Sequence, residues 1–147
     1  MMLEEMKALA REKNSCVLAT IVGSKPYCSL MAYVTNAACT EIYMVTRRKT
    51  QKFKNLAANP AVSLMIDTRD TSPRSEAKAM TVAGTYRKIT DRAKEQAVRR
   101  KLLSAHPHLR EFMDQADAEV IQIDVKSFLL LNGLTQASFE DLSDSVS

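Results

Sequence analysis

Short apolar runs with the two-residue period of β-strands, separated by brief polar turns, constrain the fold of this chain more than any other feature. The runs cover 16–22, 27–34, 41–46, 61–67 and 79–89, and a closing strand or pair of strands covers 120–125 and 128–131. Helical patterns do not alternate regularly with these runs, as they would in a doubly wound parallel sheet. The pattern therefore predicts an antiparallel barrel of about six strands with helices at its margins.

Helices are predicted beside the strands from apolar spacing and end signals. They cover 3–13, a segment that follows Thr50, a segment from Thr90 or Asp91 to about residue 105, and 109–115. Thr50 is the expected N-cap of the second helix, because its hydroxyl can accept a hydrogen bond from an early helix amide. Pro60 ends that helix, since proline disfavours the helical conformation of the residue before it. Within the strand over 79–89, Gly84 indicates a bulge or the close approach of another backbone.

The length and composition suit one folded domain. The chain has 147 residues and a hydrophobic content of 46%. We expect the domain to cover 1–137, with an acidic, flexible tail over 138–147. No apolar run approaches the roughly 18 residues that span a bilayer, and the first residues lack the basic flank and apolar block of a secretory signal. The expected location is the cytoplasm, without a membrane partner.

Residue types that mark metal, disulfide or nucleotide sites are sparse. Cys16, Cys28 and Cys39 lie in or beside apolar segments, and their spacing matches neither a zinc site nor a redox dithiol. An odd count argues against a disulfide framework and leaves an intermolecular bond open. His106 and His108 have no cluster of carboxylates or thiolates beside them, so no metal site is predicted. The chain has only three glycines and no glycine-rich phosphate loop, which disfavours dinucleotide and nucleoside-triphosphate folds.

The segment over 46–56 combines positive charge with a helix start. Residues 46–54 include five cations, against a net charge of +4 for the whole chain: Arg47, Arg48, Lys49, Lys52 and Lys54. The free amides and aligned dipoles of a first helical turn stabilise anions. Lys52 lies in that turn, and Arg47 and Arg48 precede it, so the segment suits one phosphate group. The competing interpretation is a solvated basic face.

Five short segments, taken in order, carry a wider pattern. They are Cys16-Val17-Leu18-Ala19-Thr20, Pro26-x-x-Ser29-Leu30-Met31-Ala32-Tyr33, Ile42-Tyr43-Met44-Val45-Thr46, Thr50-x-Lys52-x-x-Asn55-Leu56, and Asn59-Pro60-Ala61-Val62-Ser63-Leu64. Over roughly residues 3–132 this order resembles the flavin-binding split barrels related to pyridoxamine 5′-phosphate oxidase. The resemblance implies a mainly β (β+α) fold, a six-stranded antiparallel split β-barrel with flanking helices. It also implies FMN held at the interface of a homodimer.

The resemblance assigns two groups of cofactor-binding residues by position. Those expected around the phosphate are Thr46, Arg47, Thr50, Gln51 and Lys52, with Lys52 as the principal phosphate residue. Those expected along the ribityl chain and the isoalloxazine edge are Ser29, Leu30, Met31 and Ala32. Ser29 and Gln51 stand at about the places where the biosynthetic oxidase has basic side chains. The C-terminal Arg and His pattern that grips the pyridoxal substrate has no match here, so flavin binding is expected and vitamin-forming activity is not.

The function expected from these observations is that of an FMN-dependent oxidoreductase, an oxidase or reductase of a small molecule whose catalytic residues the sequence does not identify. The alternative is a split barrel without turnover that binds flavin or haem, or one that uses the deazaflavin F420. A basic nucleic-acid binder is the third hypothesis. The chain has no Trp, and no aromatic side chains are interleaved with the basic run as stacking platforms, so no nucleic-acid partner is expected.

Overall fold

A computed structural model describes residues 2–142 of the chain and places eight β-strands in one antiparallel sheet. The strands are β1 (Ser15–Val22), β2 (Lys25–Ala32), β3 (Val34–Thr35), β4 (Glu41–Arg47), β5 (Ala61–Asp67), β6 (Lys78–Arg87), β7 (Ala118–Asn132) and β8 (Gln136–Asp141). Their order is β2-β1-β5-β6-β7-β4-β3, with β8 paired to β7 outside that path. The sheet curls into a half-barrel, so the predicted class of mainly β split barrel is confirmed. The strand count is eight rather than the predicted six.

The predicted strand over 27–34 divides at Tyr33, because the chain changes partners there. β2 pairs with β1, and β3 pairs with β4. The buried Tyr33 fixes the change: its N–H donates to the carbonyl of Asn14 (3.1 Å) and its hydroxyl donates to the carbonyl of Ala10 (2.6 Å). These two bonds tie the junction to the segment before β1.

The C-terminal part of the sheet also differs from the prediction. The closing segments over 120–125 and 128–131, predicted as one strand or two, form one strand, β7, which is 15 residues long; the additional strand β8 was not predicted. β8 pairs with the second half of β7, and the N–H of Leu142 donates to the carbonyl of Lys126 (2.7 Å). Residues 138–142 are therefore held by the sheet rather than frayed, which moves the start of the predicted tail. Residues 143–147 of that tail lie outside the described residues.

Five helical segments accompany the sheet. They are α1 (Met2–Glu12), α2 (Gln51–Ala58), α3 (Arg92–Ala105), a 3₁₀ turn (Pro107–Leu109) and α4 (Arg110–Met113). The predicted cap of α2 is confirmed, since the Thr50 hydroxyl accepts a hydrogen bond from the N–H of Phe53 (3.3 Å). Asp91 caps α3 in the same way through the N–H of Ala93 (3.1 Å). Within residues 2–142, no helix has the length and apolar character needed to cross a membrane.

Gly84 lies where β6 meets an irregularity in β7. The register of the two strands shifts between Ala83 and Gly84, which confirms the predicted bulge. A Cβ atom at residue 84 would lie 2.6 Å from Cγ2 of Ile123 and 2.8 Å from the carbonyl oxygen of Asp124. Glycine is therefore required at this crossing for lack of space.

The two faces of the sheet are covered differently. The inner face packs the main core, to which α1 contributes Met6 and Leu9 and α2 contributes Leu56. On the outer face, Val98 and Leu102 of α3 cover the part near β4 and the first half of β7. The rest of the outer face carries exposed apolar side chains on β2 and β8 and half-buried ones on β1 and β5.

One row of side chains crosses that exposed part in register. Its members lie opposite one another on β2, β1, β5, β6, β7 and β8, and we call them the apolar row: Leu30, Val17, Met65, Thr81, Leu129 and Phe139. Leu30 is 77% exposed and Phe139 is 60% exposed. Every member of the row except Thr81 is apolar, and an exposed row of this kind, which reaches across six strands, is typical of an interaction face.

Candidate functional site

The helix α2 lies against the inner face of the hairpin formed by β1 and β2. The ammonium of Lys52 lies 3.2 Å from the sulfur of Met31. Nearby, the Gln51 amide donates to Oδ1 of Asn55 (2.7 Å), and the Asn55 amide donates to the hydroxyl of Thr20 (3.1 Å). These contacts define a seam between α2 and the hairpin.

Ser29 belongs to the same seam by its place on the strand. Successive side chains of a strand point to opposite faces, so Ser29 shares the face of Met31. Its cross-strand partner is Leu18, which lies in the main core. Of the residues that the sequence resemblance assigned, the structure places Lys52 in contact with Met31, Ser29 on the same face of β2 as Met31, and Gln51 next to Lys52 at the start of α2.

Lys52 carries the unusual charge of this seam. Its side chain is partly buried, and burial lowers its pKa below the ordinary value. Within residues 2–142, no carboxylate lies within salt-bridge distance of its ammonium; the nearest polar contact is the thioether of Met31. A partly desolvated cation without an anion is unfavourable, so an anion from outside the chain would be stabilised there.

A pocket of about 180 Å³ opens beside Lys52. Apart from the lysine, its lining is apolar: Leu30, Met31, Ala32, Val45, Leu109 and Phe112. Leu30 also belongs to the apolar row, so the pocket and the exposed outer face adjoin at this residue. An apolar wall with one cation suits a ligand that joins a flat apolar body to an anionic group.

The edge of β2 faces this pocket with unpaired backbone groups. β2 is the first strand of the sheet, and within the described part of the chain it pairs only with β1. Residues of an antiparallel pair alternate between hydrogen-bonded and non-bonded positions. Because the N–H of Tyr33 donates to Asn14, Met31 and Ser29 are the bonded positions, and Leu30 and Ala32 direct their N–H and C=O groups away from β1. These groups can hydrogen-bond a ligand.

The two arginines before α2 are held by carboxylates at the start of β7. Arg47 donates from Nε to Oδ1 of Asp117 (2.9 Å), and the bond from Arg47 lowers the pKa of that carboxyl group. Arg48 donates to the carbonyl of Ala116 (2.9 Å) and pairs with Glu119 at 3.6 Å. The pair of arginines therefore does not form the freely solvated basic face that charge alone would suggest.

The two threonines assigned to the phosphate serve the start of α2. Thr46 is fully buried, and its hydroxyl lies 3.5 Å from that of Thr50. Thr50 donates to the carbonyl of Arg47 (2.7 Å) while it accepts from the amide of Phe53. Both hydroxyls thus have partners within the chain, and a direct role in ligand binding stays a prediction for each.

The sequence does not reveal several residues and contacts of the site. Asp117 lies 70 residues from its partner Arg47, and no local pattern links them. Leu109 and Phe112 reach the pocket from the 3₁₀ turn and α4; the sequence predicts a helix over 109–115 but does not show that it packs beside Lys52. Asn55 appears in the sequence motif, but its buried bridge to Thr20 depends on how α2 docks.

Comparisons with known proteins agree with this architecture. The family model for pyridoxamine 5′-phosphate oxidase matches residues 2–132. A search of curated protein sequences gives no match.

Three solved structures illustrate the structural likeness. A heme binding protein from Mycobacterium smegmatis has a TM-score of 0.83 and 20% identity, over 96% of this chain and 58% of that one. A FAD-binding protein from Mesorhizobium loti has a TM-score of 0.72 and 18% identity, over 86% and 91% of the two chains. HutZ, the heme storage protein from Vibrio cholerae, has a TM-score of 0.73 and 17% identity, over 88% and 93%. The chain thus spans less than two thirds of the M. smegmatis protein, and at these identities the likeness is one of fold.

Proposed function

Because the chain belongs to the pyridoxamine 5′-phosphate oxidase family, we propose that it binds FMN and serves as an FMN-dependent oxidoreductase of a small molecule. The observation that carries the proposal is Lys52, a partly buried cation without a carboxylate partner in residues 2–142, at the rim of an apolar pocket. The phosphate of FMN supplies the missing anion, and its ring system supplies the flat apolar body.

The phosphate is held by charge and by neutral donors. Lys52 provides the ammonium, Arg47 provides the guanidinium nitrogens that Asp117 does not use, and Ser29 and Gln51 provide a hydroxyl and an amide hydrogen. Charge-assisted hydrogen bonds of this kind contribute about 1.5–3 kcal/mol each. Gln51 remains oriented by Asn55 through its second amide hydrogen.

The ring lies along the open edge of β2. The N–H groups of Leu30 and Ala32 can donate to its polar edge, while Val45, Leu109 and Phe112 exclude water from it. Donors fixed in this way stabilise negative charge that develops on a reduced flavin. When bound, FMN supplies the redox chemistry, and the chain supplies binding, orientation and control of solvent.

We propose that a second copy of the chain covers the apolar row, so that the functional unit is a homodimer. Leu30 belongs both to the row and to the Lys52 pocket, and a partner on the row would therefore also close the pocket. Phe139→Asp places a charge in this face and should convert a dimer to a monomer in light scattering at micromolar concentration. A wild-type monomer under the same conditions would contradict the shared site.

A second candidate function is haem or flavin binding without turnover. It is favoured by the structural likeness to the M. smegmatis and V. cholerae proteins, whose names record heme binding and storage. The two functions differ in whether bound flavin is reduced by NADH or NADPH at a useful rate. A preference for the deazaflavin F420 would show as weak FMN binding together with uptake of F420.

The first test is to purify the protein without added cofactor, record its visible spectrum and identify any released small molecule by mass. FMN released in a one-to-one ratio supports the proposal. A haem Soret band supports the second candidate. A colourless protein that also fails to take up added FMN contradicts flavin binding.

A further inference from the structure

Asp117 connects three consecutive residues at the turn between β4 and α2. Its Oδ1 accepts from Nε of Arg47 (2.9 Å), and its Oδ2 accepts from the N–H of Lys49 (3.4 Å). Its main-chain carbonyl accepts from the N–H of Arg48 (2.9 Å). Asp117 is only 8% exposed, so its carboxylate is a fixed acceptor rather than a mobile surface charge.

This arrangement occupies one edge of the Arg47 guanidinium and leaves the rest available. A guanidinium has five N–H donors, and in the described part of the chain only Nε of Arg47 has a partner. The Arg47 side chain is 41% exposed. Arg48 differs, because both its terminal nitrogens are engaged, by Ala116 and Glu119.

Arg47 also lies next to the proposed phosphate site. Val45 lines the Lys52 pocket, and Arg47 is two residues further along the same strand. Side chains two apart share a face of the strand, and they are separated by roughly 7 Å. A guanidinium held at this place can reach an anion bound at Lys52.

We propose that Asp117 is a positioning residue, which holds Arg47 by Nε so that its terminal nitrogens face the ligand phosphate. This inference rests on the proposed FMN-binding function. Removing Asp117 has two opposite effects on ligand affinity. By Coulomb's law, loss of a carboxylate near an anion should strengthen binding of that anion, whereas loss of the positioned arginine should weaken it. The direction of the change therefore decides between the two effects.

The experiment compares FMN with riboflavin, which lacks the phosphate, by fluorescence titration of purified protein. We expect Asp117→Ala and Arg47→Ala each to weaken FMN binding about fivefold or more, while riboflavin binding changes less than about twofold. The double variant should lose little beyond either single one, because the two residues act as a unit. Asp117→Asn keeps an acceptor for Nε and should recover part of the affinity.

Glu95→Ala is the matched control, since it removes another carboxylate that pairs with an arginine (Arg99, 3.2 Å). Its FMN affinity should equal that of the wild type. Unchanged or tighter FMN binding in Asp117→Ala would overturn the inference, as would equal losses for FMN and riboflavin. If Asp117→Ala fails to fold, Asp117→Asn with the same two ligands decides. A wild type that binds neither ligand would instead overturn the proposed function itself.

Discussion

Two polar regions, one near each end of β4, differ in whether their charged side chains have partners among the described residues. At the first end, Glu41 accepts hydrogen bonds from the hydroxyl of Tyr43 and from the ammonium of Lys94 (2.9 Å), so each charge has a partner. Past the other end, the ammonium of Lys52 has only the sulfur of Met31 as a polar contact among residues 2–142. The first region, which we call the closed region, has its charges paired with one another and holds α3 to the sheet. The second, which we call the open region, leaves Lys52 available to a ligand.

The pKa shifts of the two regions reflect this difference. Burial on its own would raise the pKa of Glu41, but the hydrogen bonds from Tyr43 and Lys94, together with the positive charges of Lys94 and Arg87, outweigh burial and lower it. For Lys52, burial is the only cause, and it lowers the pKa. A satisfied network contributes structure, whereas a desolvated charge without a partner is retained where a ligand supplies the partner.

The largest expected effect is on protein stability, from a substitution in the strand beside the closed region. Gly84→Ala should lower the free energy of unfolding by about 1–3 kcal/mol, because the new Cβ would overlap Ile123 and Asp124 beside the closed network. Urea unfolding measures the change. The molecules that still fold should bind FMN with wild-type affinity, and a coupled loss of affinity would contradict the independence of the two regions.

Lys52→Ala should have the opposite pattern, a loss of FMN affinity without a loss of stability. FMN affinity should fall at least about tenfold, equivalent to about 1.4 kcal/mol. The ligand-free protein should keep its stability or gain up to about 1 kcal/mol, since the variant removes an unpaired cation. Titration calorimetry and thermal unfolding check the two parts. Lys54→Ala, an exposed lysine on the same helix, is the matched control, and an equal loss of affinity there would remove the special role of Lys52.

Lys94→Ala should have a smaller effect, confined to stability. The Lys94 and Glu41 side chains are 36% and 26% exposed, so solvent screens their pair, and we expect a loss of about 0.5 kcal/mol. FMN affinity should not change. A Lys94 variant that bound FMN poorly would show that the closed region supports the site after all.

The smallest expected effect is the pH dependence of the open region. Because the folded-state pKa of Lys52 is depressed, its burial destabilises the ligand-free protein at neutral pH, and this penalty fades as pH rises through the folded pKa toward the ordinary 10.5. FMN affinity should fall over the same range, because the ammonium is lost. Stability and affinity measured from pH 7 to 10 should therefore move in opposite directions, and in Lys52→Ala neither trend should remain.

The sequence predicts the elements of this molecule better than their long-range contacts. Strand periodicity and the Thr50 cap are local properties, so β1, β4, β5 and the start of α2 emerge from the sequence close to their observed bounds. The division at Tyr33 depends on a bond to Ala10, and β8 depends on a partner strand already in place.

The same limit applies to the site. The sequence places Lys52 in the first turn of a helix and Arg48 before it, but the basic run does not show which of the two cations has a carboxylate partner. The distinction appears only when β7 brings Glu119 to the arginine and leaves the lysine without a carboxylate within the described residues. Which charge stays free is decided by tertiary pairing, which a local pattern does not contain.

The position of β7 has a consequence for how the protein is made. In the strand order, β7 is the only link between the group β2-β1-β5-β6 and the group β4-β3. A nascent chain that ends before Ala118 would hold two separate pieces of sheet with unpaired edges. Lys52 and Val45 come from the segment around β4, and Leu30 comes from β2, so the pocket joins the two groups. During synthesis, binding competence should therefore arise abruptly, when β7 (Ala118–Asn132) leaves the ribosome.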